Sequence, residues 1–163
     1  MKLRKLEMKD APLMLEWMHD DDVVQNMKTN FKIKTLEECE QFINESKVNN
    51  ANLHLAIVDE FDEYMGTVSL KHVEKGTAEF GITVRRCAMG KGFSSEGMKE
   101  MIHIGFAQLH LNEIYWCVDP LNTRAIKFYD KNGYERCKKK ILTPGYSADE
   151  IERFIWYHCI QST

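Results

Sequence analysis

Thr77-Ala78-Glu79-Phe80-Gly81-Ile82-Thr83-Val84, followed shortly by Met89-Gly90-Lys91-Gly92-Phe93-Ser94-Ser95, is the stretch on which the reading of this chain turns. The first part alternates in the period of a strand. The second places two glycines one residue apart, ahead of Phe93, Met98, Met101, Ile102, Phe106 and Leu109 at helical spacing. A strand therefore runs through a glycine turn into a long amphipathic helix. Small residues there let the backbone approach a ligand, and the free N–H groups of a helix start suit a phosphate. The spacing is neither GxxxxGK[ST] nor GxGxxG. Taken alone, a tight turn that needs glycine for its backbone angles explains the triplet equally well.

Working outward, Leu53 to Val58 reads as a strand, Asp59 to Glu63 as a polar connection, and Tyr64 to Leu70 as the next strand. A turn at Lys75-Gly76 leads into Thr77 to Val84, so these three strands form an antiparallel meander. Nearer the start, Lys2 to Glu7 reads as a strand. Asp10 stands as cap before Ala11-Pro12, with Leu13, Met14, Trp17 and Met18 at helical spacing. Thr35 and Glu38 make a capping box for a second helix, whose inner stripe is Leu36, Cys39, Phe42 and Ile43. Beyond the long helix, Ile114 to Val118 is a dense apolar strand. Asn122 caps a helix that exits at Asn132-Gly133, and two strands, about Tyr134 to Leu142 and Glu152 to Ile160, close the chain. The fold class expected is α/β (α+β), one mostly antiparallel mixed sheet flanked by about four helices.

Composition narrows the function. The chain has 163 residues, 44% hydrophobic and 29% charged, which fits a single globular domain over residues 1–163 and excludes disordered or collagen-like classes. With a net charge of -3, and Lys138-Lys139-Lys140 as the strongest basic run, no nucleic-acid partner is expected. The five cysteines are widely spaced, without a CxxC pair. They match neither a disulfide framework nor zinc-ligand spacing, so no metal and a reducing, cytoplasmic compartment are expected. No apolar stretch is long enough for a signal peptide or a bilayer span, which argues against a membrane partner.

The run Glu79-Phe80-Gly81-Ile82-Thr83-Val84, then Gly90-Lys91-Gly92-Phe93-Ser94-Ser95-Glu96-Gly97, is followed by Asn122-Thr123-Arg124-Ala125-Ile126-Lys127-Phe128-Tyr129 and Lys131-Asn132-Gly133-Tyr134. Together these resemble the GNAT (Gcn5-related N-acetyltransferase) superfamily, in particular its ribosomal-protein and amino-sugar acetyltransferase-like branch. Its Q/R-x-x-G-x-G/A signature falls on Met89 to Ser94, with Met89 in place of Gln or Arg and Ser94 in place of the last small residue. The distal N-x-x-A-I-x-F-Y block is intact.

The resemblance implies a sheet whose fourth and fifth strands splay, with acetyl-CoA as co-substrate slotted between them. Ile82, Thr83 and Val84 would pair with pantetheine. Met89 would lie near the pyrophosphate, which would rest on the N–H groups of Gly90, Lys91, Gly92, Phe93, Ser94 and Ser95. Asn122 caps its helix, contacts the cofactor, or does both. The resemblance implies Tyr129 as general acid toward the thiolate, a phenol that normally titrates near 10; packing on the inner helix face is the other reading of this residue. It implies Glu79 as the base that receives the amine's proton, against an exposed strand carboxylate. His54 and His72 read as structural or exposed, and Cys87 and Cys117 as thiols outside the chemistry. The activity implied is acetylation of a primary amine on a small molecule, such as an amino sugar. A protein N-terminal amine, a polyamine and a non-catalytic acyl-CoA-binding module stay open, as does a homodimer.

Overall fold

The structure, a computed structural model, describes residues 1–162. Alternating segments build β1 (Lys2–Lys5), β2 (Leu53–Val58), β3 (Tyr64–Glu74), β4 (Thr77–Val84), β5 (Glu113–Val118), β6 (Glu135–Arg136) and β7 (Ile155–Ile160). They form one sheet in the order β1-β2-β3-β4-β5-β7-β6, antiparallel except where β4 meets β5. The helices are α1 (Ala11–Met18), α2 (Asp21–Val24), α3 (Leu36–Ser46), α4 (Phe93–Ala107), α5 (Thr123–Lys131) and α6 (Ala148–Arg153).

Period-2 alternation splits the strands between two cores. Ile57, Val68, Leu70, Phe80, Ile114 and Trp116 bury against Met98 and Met101 of α4, with Ala125 and Phe128 of α5 packed alongside. On the opposite face Ala56, Val58 and Tyr64 bury against Met14 and Trp17 of α1, and Cys39 and Ile43 of α3. Farther along that face Tyr115 and Trp156 meet Ile151 of α6.

The parallel pairing of β4 with β5 is confined to Thr77–Glu79 against Glu113–Tyr115. β5 meanwhile pairs with β7 along its whole length. From Phe80 onward β4 leaves β5, which is the splay expected. The next two residues, Phe80 and Trp116, meet edge to face with centroids 5.6 Å apart, an aromatic wedge at the point of parting.

The structure departs from the sequence reading in local detail. Two short helices, α2 and α6, join the four expected. Ser147 and Glu150 form a reciprocal capping box, so Glu152 falls inside α6 and the last strand starts at Ile155. The strand expected from Tyr134 to Leu142 shrinks to Glu135–Arg136, because the lysine run beyond it offers no alternating apolar face to bury. Asp10 does not cap α1. It turns back to accept from the Glu7 N–H at 2.8 Å, and its carboxylate, almost fully buried, takes a two-pronged pair from Arg4 at 2.8 and 2.9 Å. At Thr35 the hydroxyl caps the Glu38 N–H at 3.2 Å as expected, but the Glu38 carboxylate meets Lys34 instead of closing the box.

One glycine of the meander is dictated by contact. A Cβ at Gly66 would sit 2.4 Å from the Thr83 carbonyl oxygen and 2.9 Å from Val84 Cα, both backbone atoms that cannot rotate away. Gly66→Ala is therefore expected to lower stability by about 1–3 kcal/mol, the usual cost of overpacking. Urea denaturation reads the change; an unmoved midpoint would show that β3 and β4 separate there without cost.

Candidate active site

Two cavities flank the end of β4, and they share only Ile82 and Thr83. The smaller, about 300 Å³, lies between the end of β4, the start of α4 and the inner side of α5. Its rim is the glycine turn. Gly90 and Gly92 hold φ of 74° and 88°, the left-handed region where a side chain is strained. A Cβ at Gly90 would meet nothing within 4 Å, and one at Gly92 only Glu96 Oε1 at 3.9 Å. The turn is thus an open cradle. No side chain caps α4 at Gly92, so the first N–H groups of this helix are left for an anion.

Of the residues expected here, Ile82, Thr83 and Val84 form the strand wall, and Met89, Gly90, Gly92, Ser94 and Ser95 the turn side. Asn122 and Tyr129 come from α5. Lys91 and Phe93 are not brought into the wall. Lys91 is exposed and Phe93 packs on the core. Asn122 Oδ1 caps α5 by accepting from the Ala125 N–H at 3.1 Å, which leaves its amide NH₂ to donate elsewhere.

Tyr129 sits among aromatic rings, with centroids 5.4 Å from Trp116 and 5.1 Å from Tyr157. Burial, reinforced by Tyr157, pushes its phenol far above the usual range. It remains protonated wherever an amine can be handled, and so remains a donor.

The larger cavity, about 450 Å³, opens on the other face between α1, α3 and β2–β4. Trp17, Phe31 and Phe42 supply apolar walls, and Lys34, Glu38, Glu45 and Lys71 supply charge, Lys34 being paired with Glu38 at 3.3 Å. Its floor is polar and internally bonded. Trp17 Nε1 donates to Tyr64 Oη at 3.0 Å, and that hydroxyl lies 2.5 Å from Thr67 Oγ1. His54 Nδ1 lies 2.6 Å from Ser69 Oγ, with its ring tilted on Phe42. Burial, helped by nearby Lys71, pulls this imidazole down to about 4, so it is neutral at physiological pH.

Glu79 lies behind this cavity and lines neither wall. It is 2% exposed, and its Oε2 accepts from the Tyr146 hydroxyl at 2.8 Å. Its Oε1 faces Lys71 Nζ at 3.8 Å and His72 Nε2 at 3.6 Å, without a hydrogen bond. Glu79 Oε1 and Trp116 Nε1 are the two buried side-chain polar atoms left without a partner among the described residues. They bracket the parting of the strands: Glu79 is the last paired residue of β4, and Trp116 the first unpaired with β4 on β5. Orphaned buried groups of this kind call for an occupant or a chemical task.

Sequence reasoning missed Tyr146, Lys71 and Lys28. Lys28 reaches Glu150 at 2.7 Å and the Gly145 carbonyl, and covers the Tyr146 ring at 4.9 Å. It ties the loop before α3 to the segment that supplies Tyr146. A signal was available for Lys71 alone, since the meander register sets it opposite Glu79.

The model of the acetyltransferase (GNAT) domain family matches residues 1–135. The chain is 35% identical over 154 residues to the uncharacterized N-acetyltransferase p20 of Bacillus licheniformis, covering 86% of each protein. It is 31% identical over 142 residues to the spermidine N(1)-acetyltransferase of Escherichia coli (strain K12), covering 82% of this chain and 72% of that protein. In fold it matches the crystal structure of a Vibrio cholerae spermidine N-acetyltransferase in complex with CoA and spermine, with a TM-score of 0.81 at 20% identity over 98% of this chain and 95% of that one. The splayed sheet, the glycine cradle and these likenesses agree: the chain belongs to the GNAT acetyltransferase family.

Proposed function

We propose that this N-acetyltransferase, with acetyl-CoA as its co-substrate, acetylates a primary amine of a small molecule held in the larger cavity. The observation that carries the reading is the shared wall. A donor groove on one face and an acceptor cavity on the other touch only at Ile82 and Thr83, where β4 has left β5. Acetyl-CoA brings an activated thioester. The chain's task is to orient it, to bring a neutral amine to it and to manage two protons.

In this reading the free edge of Ile82 to Val84 pairs with the pantetheine amides, and the N–H groups from Gly90 to Ser95 hold the phosphates. Tyr129 donates to the leaving sulfur. Its raised phenol keeps the proton on oxygen, so in this reading it stays a hydrogen-bond donor to the sulfur until charge develops there. Glu79, with one oxygen free and Lys71 between it and the cavity, collects the amine's proton. A polyamine acceptor is favoured over an amino sugar by the named substrate of the Escherichia coli relative, with Glu45 as the wall carboxylate that no lysine pairs among the described residues. A single catalytic domain in the cytoplasm completes the reading, supported by the free thiols.

The test is thiol release from acetyl-CoA over a panel of polyamines, amino sugars and N-terminal peptides. Failure to release thiol with any acceptor would sink the enzyme reading in favour of a binding module. Within that assay Tyr129→Phe keeps the ring and removes the donor. Turnover is expected to fall about 10²–10⁴-fold, the usual contribution of a positioned acid or base, with CoA affinity held. Wild-type turnover in that variant would move the donor's role elsewhere.

The base is read from pH. A primary amine near a pKa of about 10.4 is almost wholly protonated at neutral pH, so the rate rises as pH rises. Glu79→Gln is expected to lose most at low pH, with the deficit narrowing as neutral amine accumulates. His54 is already neutral through this range, having been drawn down to about 4, so His54→Gln changes the height of the profile and leaves its shape. An equal loss at every pH for Glu79→Gln would make it a positioning residue.

A further inference from the structure

Arg124, the second residue of α5, stands on the wall of the donor groove. The chain has six arginines. Arg4, Arg85, Arg86, Arg136 and Arg153 are each paired with a carboxylate. Among the described residues, none lies within 4.0 Å of the Arg124 guanidinium. Its contacts are weaker. Nη1 donates to Met89 Sδ at 3.4 Å, and Nη2 to the Asp22 carbonyl at 3.0 Å. A thioether is a poor acceptor, and a guanidinium has five N–H donors, so most of its capacity is unused.

The placement also runs against local preference. A cation in the first turn of a helix opposes the macrodipole, where an acid would be stabilising. Such a local conflict is expected where a ligand compensates for it. The compensating charge has to be negative, and the turn from Gly90 to Ser95, with its free N–H groups, lines the same groove. Met89, between the two, offers an anion nothing from its side chain. Arg124 lies directly against it.

We propose that Arg124 is a diphosphate-binding residue of the donor groove, supplying from α5 a positive charge on the groove wall itself, where Lys91 of the turn does not stand. The inference rests on the reading that acetyl-CoA occupies this groove. The planar fork of the guanidinium suits two phosphate oxygens at once, whereas the exposed Lys91 of the turn is a single point charge outside the groove wall. Its bond to the Asp22 carbonyl fixes the fork across the groove, so little side-chain freedom remains to be lost on binding.

The experiment is titration calorimetry of CoA, dephospho-CoA and pantetheine against wild type, Arg124→Gln and Arg124→Lys, with Gly92→Val as the control for the groove itself. Gly92→Val is expected to weaken CoA sharply, because a branched side chain at φ 88° obstructs the cradle. Arg124→Gln is expected to weaken CoA and dephospho-CoA alike by roughly 10- to 100-fold, the span of charge-assisted hydrogen bonds, with Arg124→Lys recovering part of the loss. Pantetheine, which has no diphosphate, is expected to bind both proteins equally. The side chain is exposed, so Arg124→Gln should melt with wild type, a check made by circular dichroism. A loss seen with CoA but not with dephospho-CoA would assign the contact to the 3′-phosphate and overturn the proposal. An equal loss for pantetheine would make Arg124 a structural strap and also overturn it. If Arg124→Gln binds CoA normally while Gly92→Val does not, the proposal fails and the groove stands. If neither variant weakens CoA, the groove reading falls and takes the proposal with it.

Discussion

The parallel pairing between β4 and β5 lasts from Thr77 to Glu79 and then stops, and the rest of the molecule is arranged around that stop. β5 cannot follow β4, because its other edge is committed to β7 over its full length, from Glu113 to Val118. β4 cannot follow β5, because Gly66, Val68 and Leu70 of β3 hold it in antiparallel register as far as Val84. Phe80 and Trp116 stand where the next rung would form. Trp116 is in turn stacked on Tyr157, their planes 5° apart. Each strand is thus held by its outer neighbour and wedged from the other by a pair of large rings. The gap between them is a product of packing on both sides.

That gap connects the two faces of the sheet at one place. Elsewhere the sheet is a barrier, covered by α4 and α5 on one side and by α1 to α3 on the other. Near Ile82 and Thr83 the groove with the glycine turn and the larger cavity share a wall. The two differ in what they present. The groove has glycine-turn N–H groups and Arg124, and the cavity has Glu38 and Glu45 beside Lys34 and, behind Lys71, Glu79. Tyr146 and Lys28 complete the second half. Lys28 ties the loop before α3 to the segment carrying Tyr146, so one wall of the acceptor cavity is mechanically linked to a partner of Glu79.

Much of this was legible in the chain because it is written at short range. The meander follows from alternation, the open turn from Gly90 and Gly92, and the α5 cap from Asn122; each depends on residues within a turn or two of one another. What was not legible is made at long range. Tyr146 finds Glu79 across 67 positions, and Trp17 finds Tyr64 across 47. No local pattern marks either pair. Asp10 was misread for a related reason. An Asp before Ala-Pro reads as a helix cap, but Arg4 from β1 competes for it, and a buried carboxylate goes to the charge that best offsets its desolvation. α6 is a different failure. Ser147 and Glu150 carried a capping signal that the alternating residues after it obscured.

Burial displaces one titratable ring in each cavity, and in opposite directions. The Tyr129 phenol is held far above its usual range by burial, so it is a donor at every pH at which the protein works. The donor half then has no titration of its own to show. His54 has the opposite displacement with the same consequence: drawn down to about 4, it is neutral and constant across the same range. Burial has therefore silenced both groups that an unperturbed reading would place near a working pH. Under the proposed reading, what is left to vary is the acceptor amine itself, together with the Glu79 carboxylate. A pH–rate profile would then report on the acceptor half, and its position on the pH axis would reflect the basicity of the amine.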